Sequence, residues 1–200
     1  MESEHTLPYG MAQPTTEKLS REQWADAALN AIGQGGLKAV AVEPIAAALG
    51  VTKGSFYWHF RDRNELLQAA LERWAERATT NIIEQLSGII EPVARLRALF
   101  AVAFGDTAED RIEDAILGSL TNDTVAEMVG RVNTLRLTFL VEIFRSLDCP
   151  SAEARHRARI AYAVLLGHRR LQGGLGSRIT ASATTAFGNE LIKTLTADLR

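Results

Sequence analysis

Between Gly50 and Asp62 the chain reads Val-Thr-Lys-Gly-Ser-Phe-Tyr-Trp-His-Phe-Arg. A hydroxyl, a cation, a bare Cα and two aromatics with polar edges follow one another there. These groups suit recognition of a polyanion more than bond-making. At the start of a helix, the Thr52 hydroxyl and the first amides can meet a phosphate. Lys53 adds charge, and Gly54 lets the backbone come close to a partner. Tyr57 can reach a phosphate or a thymine methyl, and Trp58 can lie along the sugar–phosphate wall of a groove. Wound at about 100° per residue, the run divides into two sides. Phe56, His59 and Phe60 fall on one, while Lys53, Gly54, Tyr57 and Trp58 fall broadly on the other. The second face has no task on a monomer with nothing to bind. Arg61 and Arg63 extend its cationic strip. The plainer alternatives are that Tyr57 and Trp58 are core aromatics, that Lys53 is a solvated charge, and that Asp62 offsets part of the two arginines. His59 reads as a packing or capping histidine, not a base reader.

These side chains need a scaffold, and the flanking sequence supplies one. Ser20-Arg-Glu-Gln23 has the form of a capping box. The helix it opens places Trp24, Ala27, Ala28, Ala31 and Ile32 at helical spacing, with Gly33, Gly35 and Gly36 as its stop. A short second helix is expected over 43–49, with Pro44 in its first turn, Ile45, Ala46 and Leu49 inward, and Gly50 as terminator. The run Ala46-Ala47-Ala48 suits a close helix crossing. A third helix, capped by Thr52, reaches His59 or Phe60. Asp62-Arg-Asn-Glu65 opens a fourth over about 62–80. Three helices joined by short turns make a helix-turn-helix unit.

Five further helices are expected at roughly 92–105, 109–120, 123–147, 151–173 and 180–198, and no period-two strand is evident. The chain therefore reads as all-α: a flexible arm over 1–19, a DNA-binding head over 20–65, a connecting fourth helix, and a helical body over 81–200. In the body, Phe100, Phe104, Leu117, Met128, Leu135 and Phe139 could line an apolar cavity or fill a solid core. His168, Arg169 and Arg170 could bind a carboxylate or pair with acidic residues. On the last two helices Tyr162, Leu165, Leu166, Phe187, Leu191 and Leu195 could form a dimer interface or an internal core face.

The stretch Ala46 to Leu67, and above all Gly50-Val-Thr-Lys-Gly-Ser-Phe-Tyr-Trp-His-Phe60, closely resembles the DNA-binding signature of TetR-type transcriptional regulators. The likeness covers about residues 20–75. It implies a three-helix DNA-binding head on a divergent helical body that binds a small effector and forms a homodimer. Positions matching Thr52, Lys53, Tyr57 and Trp58 would touch DNA. Arg63 matches a position that is typically a lysine contacting backbone phosphate. Two departures stand out. Ala41 replaces a frequent Ser or Thr before the second helix, and Trp58 replaces a more usual histidine. The last two helices would pair with their copies as a four-helix bundle. A linked dimer strengthens two weak half-site contacts and predicts a near-palindromic operator. Repression relieved by an effector is the expected mode. Activation, which depends on operator position, is the alternative.

Bulk properties bound the rest. The net charge is −2 over 200 residues, so any DNA binding must come from a local cluster of cations. The single cysteine, Cys149, excludes a disulfide framework within one chain. The N-terminus lacks a signal-peptide pattern and no apolar run approaches the ~20 residues of a membrane span, so a cytoplasmic protein with no membrane partner is expected. No zinc-protease, phosphate-loop or nucleophile-elbow motif is present. An enzyme, a metal site and a cofactor are not expected, and the acidic stretch Glu109 to Asp114 reads as a solvated helix start. A helical interaction protein whose head does not bind DNA is the remaining alternative.

Overall fold

The structure, a computed structural model, describes residues 19–105, 108–174 and 180–199. Among these residues ten α-helices follow one another: α1 (Arg21–Gly35), α2 (Val42–Ala48), α3 (Lys53–Phe56), α4 (Arg63–Ala75), α5 (Asn81–Ser87), α6 (Pro92–Ala103), α7 (Ala108–Leu117), α8 (Asp123–Arg145), α9 (Ser151–Gly174) and α10 (Ala181–Thr196). No strand occurs among the described residues. Of the expected N-terminal arm only Leu19 lies within them, packed partly buried against the first apolar core.

The capping box forms. The Gln23 amide donates to Ser20 Oγ at 3.3 Å, and the Ser20 amide donates back to Gln23 Oε1 at 2.7 Å. Trp24, Ala25, Ala28, Leu29 and Ile32 make the buried face of α1. The helix runs through Gly33 and Gly35, two of its three expected stops, and ends only at Gly36, whose φ is +70°. Gly33 has another task, because a Cβ there would meet Ile112 Cγ1 of α7 at 2.8 Å. Ile45 and Ala46 are the buried residues of α2, whereas Ala47 and Ala48 are exposed, so the alanine run is not a crossing surface. Gly50, at φ +69°, turns the chain towards α3.

The fourth helix does not stop near residue 80. It passes through a π-type turn, Glu76–Thr80, directly into α5. A π turn inserts an extra residue and rotates the apolar face. That shift breaks the 3.6-residue period, and it accounts for the absence of α5 from the sequence expectation. The later helices fall close to their expected spans.

Two apolar cores result. The first joins Trp24, Phe56, Phe60 and Trp74 to Ile112 and Ile116 of α7 and to Val125, Met128, Val129 and Val132 of α8. The second gathers α6, the C-terminal half of α8, α9 and α10 around Phe100, Phe139, Phe144 and Ala158. The core beneath α1 to α4 thus continues without a break into α7 and α8. Ion pairs reinforce this junction. Arg73 grips Asp26 of α1 at 2.8 Å, and Arg77 in the π turn pairs with Glu109 of α7 and lies 3.7 Å from Asp26.

Candidate nucleic-acid interface

Burial fixes the rotation of α3. Phe56 and Phe60 are fully enclosed. Phe56 meets Trp24 edge-on at 5.5 Å between ring centroids and stacks on Phe60 at 5.5 Å. Arg21 lies over the Phe60 ring at 4.4 Å and donates to the His59 carbonyl at 2.9 Å. With the inner side anchored, the outer side must face solvent: Tyr57 is 60% exposed and Trp58 79%. Thr52, Lys53 and Gly54 are exposed beside them.

Regular helix covers only Lys53–Phe56, shorter than expected. The next turn keeps the helical direction, because the Phe60 amide donates to the Phe56 carbonyl at 3.0 Å. Thr52 occupies the N-cap position with extended backbone, but its hydroxyl makes no capping bond. At Gly54 an added Cβ would meet nothing of the protein closer than Thr52 Oγ1 at 3.6 Å. The protein's own packing therefore does not require this glycine.

Between α2, α3 and the start of α4 lies an open cleft of about 400 Å³, lined by Ala41, Glu43, Lys53, Tyr57, Arg61 and Arg63 among others. Lys53 Nζ donates to Glu43 Oε1 at 2.8 Å. This bond raises the lysine and lowers the carboxyl from their ordinary pKa ranges, so both are charged at neutral pH. Arg61 is exposed and pairs with Glu65 at 3.3 Å. Glu65 has its amide on Asp62 Oδ1 at 2.9 Å, yet its own carboxylate reaches the Arg61 amide, not that of Asp62, so only half of the second capping box forms. Arg63 is exposed but already engaged: Nε donates to the Val40 carbonyl and an Nη to the Leu37 carbonyl, each at 2.6 Å. It pins the turn between α1 and α2. Ala41 caps α2 by backbone position alone. Sequence reasoning missed Glu43, because pairing across ten residues depends on how α2 sits against α3.

The residues expected to line an effector pocket do not share one location. Phe100, Phe104 and Phe139 are buried in the second core, Met128 is buried in the first, and Leu117 packs against the first. Leu135 is 47% exposed and lines no interior. His168 is buried, edge-on to Phe104 at 4.5 Å and stacked on Phe187 at 5.0 Å, and burial holds its pKa below the usual histidine range. Of the residues expected at a dimer interface, Tyr162, Leu165 and Leu195 are buried in the chain's own second core, and Leu166 and Leu191 pack partly buried against it. The Tyr162 hydroxyl donates to Asn133 Oδ1 at 2.7 Å. Phe187 alone of that set is substantially exposed, joined on α9 by Ile160 and Leu171.

The acidic stretch at α7 is not a solvated helix start. Glu113 is buried and accepts from Arg136 at 2.7 Å and from Arg169 at 3.1 Å. Arg169 also binds Asp110 at 2.6 Å, so its partners are within the chain. Arg136 further donates to Thr79 Oγ1 at 2.9 Å and to the Ala78 carbonyl at 3.1 Å, in the π turn. Burial acts to raise the Glu113 carboxyl, but Arg136 and then Arg169 outweigh it and hold it below the usual range. The legible signal was the placing of Asp110 and Glu113 three residues apart, on one helical face.

A short helix that presents a cation and two exposed aromatics, packed against α1 and α2, has the geometry of a helix-turn-helix unit. The family described as bacterial regulatory proteins, tetR family, matches over residues 25–70. Over 192 residues the chain is 28% identical to an HTH-type transcriptional regulator BetI of Burkholderia ambifaria, an alignment covering 90% of this chain and 95% of that one. A transcriptional regulator from Rhodococcus sp. Rha1 has a similar fold, with a TM-score of 0.75 at 20% identity, covering 90% of this chain and 98% of the other. AibR, solved in complex with isovaleryl coenzyme A and operator DNA, is similar with a TM-score of 0.62 at 21% identity, covering 88% and 97%. The likeness to the tetR family thus covers residues 25–70, and the chain as a whole shares the fold of these solved regulators.

Proposed function

We propose that the protein is a cytoplasmic, homodimeric repressor that binds a near-palindromic operator and is released by a small-molecule effector. The observation that carries this reading is the division of α3 and its following turn. Phe56 and Phe60 are buried, while Lys53, Tyr57 and Trp58 face outward on one surface. In this reading Thr52, Lys53, Gly54, Tyr57 and Trp58 meet the major groove. Arg63 holds the turn before α2 and offers its remaining N–H groups to backbone phosphate. Residues 20–65 act as the reading head and α5 to α10 as the body. Apolar side chains exposed on α9 and α10, Ile160, Leu171 and Phe187, support a subunit interface there, with Leu166 and Leu191 at its margin. The aromatic cluster of Phe100, Phe104, Phe139 and His168 is where a body ligand would lodge. No helix among the described residues is long and apolar enough to cross a membrane. AibR, solved with an acyl-coenzyme A and operator DNA together, supports a two-ligand architecture on this fold.

The mechanism is a shift between populations. One state holds the two heads at groove spacing, and an effector with higher affinity for another spacing draws the protein off DNA. The test is fluorescence anisotropy with a duplex enriched from a random library by the wild-type chain. Replacing Lys53 and Tyr57 together by Ala weakens binding by about a hundredfold, as expected for two lost contacts. Unchanged affinity overturns the assignment of α3.

A further inference from the structure

The cleft in front of α3 contains a carboxylate where a DNA-binding surface gains nothing from one by charge alone. Glu43, in the first turn of α2, has its Oε1 2.8 Å from Lys53 Nζ, and both side chains are exposed in the cleft that also holds Tyr57, Arg61 and Arg63. A negative charge beside phosphates opposes every DNA complex, specific or not. It is useful only if it changes what the lysine does.

We propose that Glu43 is a positioning residue that makes Lys53 a base reader instead of a phosphate anchor, and so sets the operator preference. The proposal rests on the DNA-binding reading above. A lysine ammonium has three N–H donors and no acceptor. Glu43 engages one and ties the flexible side chain to α2, which leaves two for the partner. Two donors from one ammonium match the O6 and N7 acceptors that guanine presents in the major groove. Lys53 is the first residue of α3, and residues at the start of a recognition helix are those that approach base edges. Without the carboxylate, the same lysine is a mobile point charge free to follow the backbone phosphates, which carry no sequence information. Arg61 and Arg63 remain for backbone contact. Arg63 is fixed on the Leu37 and Val40 carbonyls, and Arg61 stands almost wholly in solvent.

The experiment compares the full-length wild type with Glu43→Gln, in duplex selection from a random library and then in salt titrations on the enriched duplex and on a random-sequence duplex. Glu43→Gln is expected to lose a guanine preference at one position in each half-site. Its ratio of selected to random affinity falls by about tenfold, within the range for one lost bidentate contact. Its salt dependence steepens by about one phosphate contact, while affinity for the random duplex rises. In a Lys53→Met background the same Glu43 substitution is expected to leave the selected motif unchanged, because its effect passes through the lysine. A Glu43→Gln protein that selects the wild-type motif with the wild-type salt slope overturns the role of Glu43 and leaves the DNA-binding reading intact. So does an equal change of motif in the Lys53→Met background. Failure of the wild type itself to enrich any duplex overturns the DNA-binding reading.

Discussion

At the scale of single residues, α3 and the turn after it divide enclosed side chains from exposed ones. Phe56 is enclosed by Trp24 and Phe60. Its replacement by Ala removes a large buried ring, and a loss of about 3–5 kcal/mol is expected in urea unfolding. Tyr57, exposed and in edge contact with Phe56 at 5.1 Å, costs about 1 kcal/mol or less on truncation to Ala, although it sits in the proposed reading surface. A larger stability loss at Tyr57 than at Phe56 would contradict the rotation assigned to this segment. That rotation was legible in the sequence, because a helical wheel needs only local spacing. The pairing of Lys53 with Glu43 was not, nor was the grip of Arg63 on two carbonyls. Both depend on where α2 and the preceding turn come to rest.

At the scale of elements, α7 is the support on which the head stands. Gly33 allows α1 and α7 their close approach, with Ile112 in the space a Cβ would take. Gly33→Ala is expected to cost about 1–3 kcal/mol in urea unfolding through overpacking. Wild-type stability in that variant would show that α7 simply moves aside. The Glu113–Arg136–Arg169 group ties α7, α8 and α9 to the π turn at the end of α4. Removing one member of a buried pair leaves the other charge without its partner, at a cost of about 3–5 kcal/mol. Arg136→Met is expected to approach that range, lessened by the contact Glu113 keeps with Arg169. Helix positions were mostly readable from periodicity and caps. This charge group was not, since a run of acidic residues looks the same whether it meets water or arginines on other helices. Likewise α5 was hidden by the phase shift of the π turn, while Gly33 was mistaken for punctuation because its real constraint comes from Ile112, far along the chain.

At the scale of the whole molecule, the buried charge group of Glu113, Arg136 and Arg169 contributes to the response to acid. Glu113 titrates below its ordinary range when folded. Its contribution is therefore complete above the unfolded carboxyl value of about 4.3, and it is lost as the pH falls through the lower folded value. Urea midpoints followed from neutral pH down through that window are expected to fall in the wild type and to fall less steeply in Glu113→Gln. Equal slopes would mean that other carboxylates govern acid unfolding. The all-α class and the order of head and body were readable from the sequence. The continuation of the head's core into α7 and α8 was not, because it joins residues far apart in the chain. The same distance misled the reading of α9 and α10, where Tyr162, Leu165 and Leu195 turn inward and leave Ile160, Leu171 and Phe187 outside. The central claim concerns the assembled molecule on DNA, and selection of duplexes from a random library by the full-length wild type tests it most directly. The account predicts an enriched near-palindrome with half-site centres about one helical turn apart, or a multiple of it. Affinity for that duplex should fall linearly on a log–log plot as salt rises. No enrichment at low salt, or binding indifferent to salt, would contradict it.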